Sequence, residues 1–251
     1  MRLPIPAPAL AKFAPVIASA ALLAACDPSV VINGNDGVPL SELDLSGKAP
    51  TEVVLAGPDI VNITPGEFDI QVTGDSDAVA RMRFKLEHGA LSVMREDGDW
   101  NSEDGVATVN ITMPAPDELT IAGSGKMTSA ELAGDAEVTI AGSGSLETSS
   151  VAATKLEVTI AGSGTYTAAG HADALELSVL GSGKAAMAGL TADEAEINVA
   201  GSGDAEFASD GEVEADILGS GNVAVSGSAS CTLDSAGSGQ LTCGGTQIVE
   251  Q

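Results

Sequence analysis

EVTIAGSGSLE, residues 137–147, alternates apolar Val138 and Ile140 with Thr139 and then runs straight into Gly-Ser-Gly. The same pattern returns down the second half of the chain. GSG stands at 123–125, 142–144, 162–164, 181–183, 201–203, 219–221 and 237–239, at intervals of 19, 20, 19, 20, 18 and 18 residues. Self-similarity at a period near twenty marks a solenoid, in which each repeat is one coil that buries its apolar face against its neighbours. Two positions before the first Gly stand Ile121, Ile140, Ile160, Val179, Val199 and Ile217, and four before it Leu119, Val138, Val158, Leu177, Ile197, Ala215 and Leu233. Apolar columns two residues apart make one face of a strand. Between them lie Thr120, Thr139, Thr159, Ser178, Asn198, Asp216 and Asp234, and beside them Glu118, Glu137, Glu157, Glu176, Glu196 and Glu214. One face is dry and the other wet.

A second strand follows each GSG, with Met127, Leu146, Tyr166, Val223 and Leu241 four residues after the first Gly and Met187, Phe207, Val225 and Cys243 six after it. Two or three short strands per repeat, without a helical period, predict an all-β chain: a parallel β-helix with coils of about 18–20 residues. Coils pair at ~4.8 Å, so seven turns would span roughly 30 Å. GSG then marks the corner that every coil must turn, because Gly reaches positive φ without steric cost. The intervening Ser would stack on its equivalents and can bond backbone there. A phosphate-cradling glycine nest is disfavoured, since no helix follows and the surroundings are acidic.

Residues 47–116 lack GSG. APTEVVLAGPDIVNITPGEFDIQVTGD and ARMRFKLEHGALSVMRED read as strands broken by Gly-Pro, Pro-Gly and His-Gly, expected to continue into the GSG-repeat helix, 117–251, and to cap its first coil. Residues 47–251 would thus form one continuous domain. EDGDWNSEDG, 96–105, reads as an exposed loop whose Trp100 either covers the open end of the stack or offers a ligand platform.

The start of the chain has a different character. Arg2 and Lys12 precede FAPVIASAALLAA, an apolar run too short to span a bilayer comfortably, and LAAC closes it at Cys26. Residues 1–25 thus resemble a bacterial lipoprotein signal peptide, with the lipobox Cys26 acylated as the new N-terminus. A cleaved secretory peptide with an incidental Cys is the competing interpretation, but the small-small-Cys ending falls where the apolar run stops. Residues 26–46 would tether fold to lipid. Asp27 resembles the inner-membrane retention signal of enteric bacteria.

Removing the signal segment takes the formal charge from −26 to −28. After Arg95 the only basic residues are Lys126, Lys155 and Lys184, so nucleic acid is excluded as a partner by repulsion. Aromatics make up 2% of the chain, so the core must be narrow and aliphatic, unlike that of an ordinary globular enzyme.

GPDIVNITPGEFDIQVTGD, then LEHGALSVMRED, then LTIAGSGKM and its GSG-bearing successors resemble the family of putative auto-transporter adhesin head GIN domains, over about residues 50–245. The resemblance implies a right-handed parallel β-helix in a bacterial envelope protein and transfers no catalytic residue. Sequences of this family often end in a pattern like SCT…GSG…C. In an oxidising periplasm Cys231 and Cys243 are therefore expected as a disulfide. It would close 11 intervening residues and clamp the frayed end by ~2–4 kcal/mol. Two thiols without a nearby His fall short of a zinc set, so no metal site is firmly expected.

Parallel β-helices also include pectate-lyase-like enzymes, whose sites combine carboxylates, often with Ca²⁺, and Arg or Lys. The GSG half has no Arg, its three Lys sit on different columns or distant coils, and neither His88 nor His171 can be assigned a constellation. No catalytic residue is expected. The Glu column, Glu118 to Glu214, admits two readings. Unit charges ~4.8 Å apart repel by roughly 0.9 kcal/mol in water and about 3.5 at an effective dielectric of 20. The column is thus either a solvated stripe that deters association or a weak divalent-cation site, with Ca²⁺ the only candidate cofactor.

The expected function is a non-enzymatic, lipid-anchored cell-envelope protein, adhesin-like or structural. It would sit on the periplasmic side of either membrane or at the cell surface, with the membrane and an envelope glycan or protein as partners. A polysaccharide-processing β-helix is the alternative, and a stress-sensing envelope component a third.

Overall fold

The computed structural model describes residues 37–96 and 105–248, all within one compact unit, 32–251. The expectations for the signal peptide 1–25, for Cys26 and for Trp100 lie outside the described residues.

The strands are β1 (Glu52–Gly57), β2 (Ile60–Pro65), β3 (Asp69–Gly74), β4 (Met82–Glu87), β5 (Ala90–Arg95), β6 (Ala107–Met113), β7 (Glu118–Gly123), β8 (Lys126–Gly142), β9 (Ser145–Gly162), β10 (Thr165–Gly181), β11 (Lys184–Gly201), β12 (Asp204–Gly219), β13 (Asn222–Ser226), β14 (Ser230–Gly237), β15 (Gln240–Cys243) and β16 (Thr246–Ile248). One short helix, α1 (Ser76–Arg81), sits between β3 and β4, its first turn capped by the Asp75 carboxylate accepting from the N–H groups of Asp77 and Ala78. The chain winds into a β-solenoid of about seven turns. Each of β8 to β12 runs from one GSG to the first Gly of the next and pairs in parallel with the coil before and after it.

The alignment on GSG is the register in space. Leu119, Val138 and Val158 are successive partners, as are Ile121, Ile140 and Ile160, and Gly123, Gly142 and Gly162. These columns point inward: Leu119, Ile121, Val138, Ile140, Val158 and Ile160 are fully buried. Each such side chain contributes about 1.5–3 kcal/mol on leaving water. Along the second strand the two inward positions exchange volume from coil to coil. Tyr166 is followed by Ala168, whereas Ala185 is followed by Met187 and Ala205 by Phe207, all buried. A close-packed interior of fixed width requires this compensation. Tyr166 donates its hydroxyl to Thr148 Oγ1 at 3.3 Å. Burial pushes the phenol up to about 12, against the smaller lowering effect of that hydrogen bond.

The two glycines of GSG are needed for different reasons, and the first alone takes the positive φ expected of the corner. The first Gly has φ between 118° and 139° in all seven motifs. The second does not, but a Cβ there would strike the coil below: at Gly144 it would lie 2.7 Å from Ile121 Cγ2 and 2.8 Å from the Gly125 carbonyl oxygen. The corner hydrogen bond comes from the Ser backbone: its N–H donates to the first Gly carbonyl of the preceding coil, at 2.7–2.9 Å from Ser143 to Ser238.

Coils begin earlier than GSG does. β1 pairs with β7 in the same register, Val53 with Leu119, Leu55 with Ile121 and Gly57 with Gly123, so Gly57-Pro58-Asp59 turns the first corner in place of GSG. The stack is then out of chain order. β5 pairs with β1 and β6 with β2 on the side away from β7 and β8, so β5 and β6 lie beneath β1 and β2 although they follow them in sequence. β3 and β4 run antiparallel to β6 and β5 and end the parallel stack. This N-terminal β region thus caps the coils by a change of strand direction, as β16 does at the other end by pairing antiparallel to β15.

The junction under the first corner is held by a buried ion pair. Asp59 accepts from Arg95 Nε at 2.6 Å and Nη2 at 2.5 Å and from the Ala107 N–H at 2.8 Å, and Arg95 Nη2 also reaches the Gly105 carbonyl at 2.9 Å. One carboxylate therefore ties the first corner to both β5 and β6.

Candidate functional site

Alternation along the strand segment that precedes each GSG sends three columns outward, five, three and one residues before the first Gly. The first is the Glu column. Glu118, Glu137, Glu157, Glu176, Glu196 and Glu214 pair in register from coil to coil, and Glu52 extends the column below Glu118. The column is not uniformly anionic. Lys155 sits between two of its members, with Nζ 3.3 Å from Glu157 Oε2 and 2.9 Å from Glu176 Oε2. Its bond to Glu176 is the main cause that holds the ammonium above the usual lysine range. Past that lysine Glu196 faces Glu214 and Glu194 faces Glu212, and these four with Glu176 line a shallow acidic cleft of about 250 Å³.

The second column passes from Thr120, Thr139, Thr159 and Ser178 to Asn198, Asp216 and Asp234. Partial burial, then the neighbouring Asp234 and Glu196 charges, push Asp216 above the usual carboxylate range. The third column is Ala122, Ala141 and Ala161, then Leu180, Ala200, Leu218 and Ala236. Leu218 is 62% exposed, and with Leu180 it walls a cleft of about 370 Å³ over Ala200, rimmed by Asn198, Asp216 and Asp234. The outer face is thus polar and small-residued along its first coils and acidic and apolar along its last.

Cys231 and Cys243 are joined by a disulfide, with Cα atoms 6.4 Å apart, between the last two coils. His88 forms the β4–β5 turn at φ 53° and is exposed. Local sequence offers His171 no constellation, yet its imidazole lies 3.3 Å from Asp173 and 3.8 Å from Asp193. Laying the coils over one another by their period would have shown this, because Asp193 follows Asp173 by 20 residues. The Asp59–Arg95 pair had no such signal, since neither residue belongs to the repeat.

Rigid carboxylate and hydroxyl ladders of this kind can gather cations or make many parallel contacts with a repetitive partner. The fold itself is shared with solved structures. A putative adhesin from Bacteroides fragilis superposes with a TM-score of 0.69 at 20% identity, covering 77% of this chain and 92% of that one. A putative lipid binding protein from Parabacteroides distasonis superposes with a TM-score of 0.61 at 22% identity over the same shares, 77% and 92%. A putative adhesin from Parabacteroides merdae gives 0.55 at 18% identity over 78% and 92%. No curated protein matches the chain. The family model described as putative auto-transporter adhesin, head GIN domain, matches residues 49–229, which takes in the capping strands, the out-of-order first coils and six of the GSG corners, and the chain belongs to that family.

Proposed function

We propose that the protein is a non-enzymatic binding module of the cell envelope, anchored by lipid at Cys26, whose outer coil faces carry its contacts. The observation that supports this best is the outer face itself: a Glu column in register from β7 to β12, flanked from β7 to β9 by columns of Thr and Ala, an array rather than a cavity. Weak contacts repeated at a fixed spacing gain affinity through multivalency, without any one strong site. The family description, and those of the Bacteroides fragilis and Parabacteroides relatives as adhesins or a lipid binding protein, are of binding rather than turnover.

Added protease tests the reading on intact cells that carry a C-terminal epitope. Cleavage of the wild-type protein, release of the Cys26→Ala variant from the membrane fraction, and loss of attachment to glycan-coated surfaces on deletion are the expected results. Full protection in intact cells removes adhesion to other cells. Turnover of a glycan, abolished by substituting one outer cluster, would establish a polysaccharide-processing enzyme instead.

A further inference from the structure

The corner that joins the second and third segments of each coil carries a column of short polar side chains. In two places along it an aspartate is matched to a hydroxyl of the next coil: Asp135 accepts from Thr154 Oγ1, and Asp210 accepts from both the N–H and the hydroxyl of Ser228, at 2.8 Å each. Between these places the pattern changes. Ala172 pairs with Ala192 and Ala174 with Glu194, which sets Asp173 of β10 opposite Asp193 of β11, acid against acid.

The group placed between them is His171. Its Nε2 is 3.3 Å from Asp173 Oδ1 and 3.8 Å from Asp193 Oδ2, and one donor atom from each of the three residues lies within 4.8 Å of the other two. His171 and Asp173 flank the fully buried Ala172 and so project outward together. A second departure accompanies the first. Gly170, at φ 125°, occupies the position that its partners Val151 and Leu190 fill with buried side chains, and a Cβ there would overlap the Val151 backbone. This coil alone combines that gap, the imidazole and the facing carboxylates among the described residues.

We propose that His171, Asp173 and Asp193 form a divalent transition-metal site, with Zn²⁺ as the ion it suits. Zinc bonds of about 2.0–2.2 Å to N and O set tetrahedral donor–donor separations near 3.4 Å, close to the two distances from the imidazole; rotation of the exposed Asp193 carboxylate closes the third. An imidazole among two carboxylates favours Zn²⁺ over Ca²⁺ and Mg²⁺, which take oxygen donors. The ion neutralises the facing charges and links β10 to β11 through side chains, leaving a fourth position open to solvent or to a donor from a partner. The site is independent of the adhesive reading above and stands or falls separately.

Titration of the mature chain, disulfide intact and stripped by chelator, with Zn²⁺ tests it. One equivalent bound in the micromolar range is expected, with affinity lowered at least tenfold by His171→Ala and by Asp193→Asn, and unaffected by millimolar Ca²⁺. In the unsubstituted protein the ring resonances of His171 should shift with one equivalent of zinc while those of His88 stay in place. Zinc affinity indifferent to both substitutions, displacement by equal Ca²⁺, or an unmoved His171 ring would each overturn the site and leave an ordinary histidine–carboxylate ion pair.

Discussion

In the GSG coils the buried polar groups among the described residues are the hydroxyls of Ser129, Thr148, Tyr166 and Ser209, whereas the N-terminal segment buries the full charges of Asp59 and Arg95. The contrast follows from repetition. A coil in the middle of the stack meets a near copy of itself on either side, so apolar columns and backbone ladders suffice to hold the register. Each polar column can then remain in water. At the N-terminal end the chain stacks β5 and β6 beneath β1 and β2, and successive strands no longer lie one period apart. There a directional contact, made by one carboxylate to two strands, joins pieces that no repeat would align.

The comparison can be broken most forcibly at the ion pair. Arg95→Met leaves the Asp59 carboxylate buried without its guanidinium and should lower unfolding free energy by about 3–5 kcal/mol, while Arg95→Met with Asp59→Leu recovers part of that loss. Denaturant unfolding measures both. A cost below about 1 kcal/mol for Arg95→Met, well under the usual penalty for a stranded buried charge, would show that the cap is held as the coils are, by apolar columns alone.

Tyr166 offers the corresponding test within the repeat. Its folded value of about 12 lies above the ordinary phenol near 10, so folding favours the neutral form. The stability this represents is fully present below pH ~10 and is lost as pH rises through ~12, about 3 kcal/mol in all. Tyr166→Phe should flatten that alkaline decline while changing stability at pH 7 by about 1 kcal/mol. An unchanged decline in the Phe variant would place the titrating group elsewhere.

The corner glycines should divide by position. At Gly164 a Cβ would lie 2.5 Å from Ile140 Cγ2 and 2.9 Å from the Gly144 carbonyl, so Gly164→Ala should cost about 1–3 kcal/mol by overpacking. Ser163→Ala, at an exposed position, should stay within about 0.5 kcal/mol. Equal thermal shifts for the two variants would contradict the inward seat assigned to the second Gly.

The smallest effect belongs to the Glu column. The middle pair Glu157 and Glu176 is spaced like every other in the column, yet Lys155 bridges it, so neutralising that pair strands a lysine. Glu196→Gln with Glu214→Gln acts where no lysine bridges the pair and should raise stability slightly, by tenths of a kcal/mol up to about 1, and weaken its rise with salt. The same response from Glu157→Gln with Glu176→Gln would mean that the Lys155 bridge does not persist in solution.

Inward and outward columns, the stacking of Glu on Glu and the recurrence of the corner were all legible in the residues from 117 onward, because in a periodic chain the spatial neighbour of any residue lies one period away. Alternation then says which of two faces it takes. Even there the reading stopped at the backbone: that the second Gly is required by the Ile of the coil below, and that Tyr166 and Phe207 are balanced by Ala168 and Ala205, depends on volumes meeting across the core. Outside the period, sequence distance carried no such information. The early start of the coils at Glu52, their inverted order and the burial of Asp59 against Arg95 were decided by long-range pairing, whose partners are chosen by the whole folded stack rather than by any local pattern.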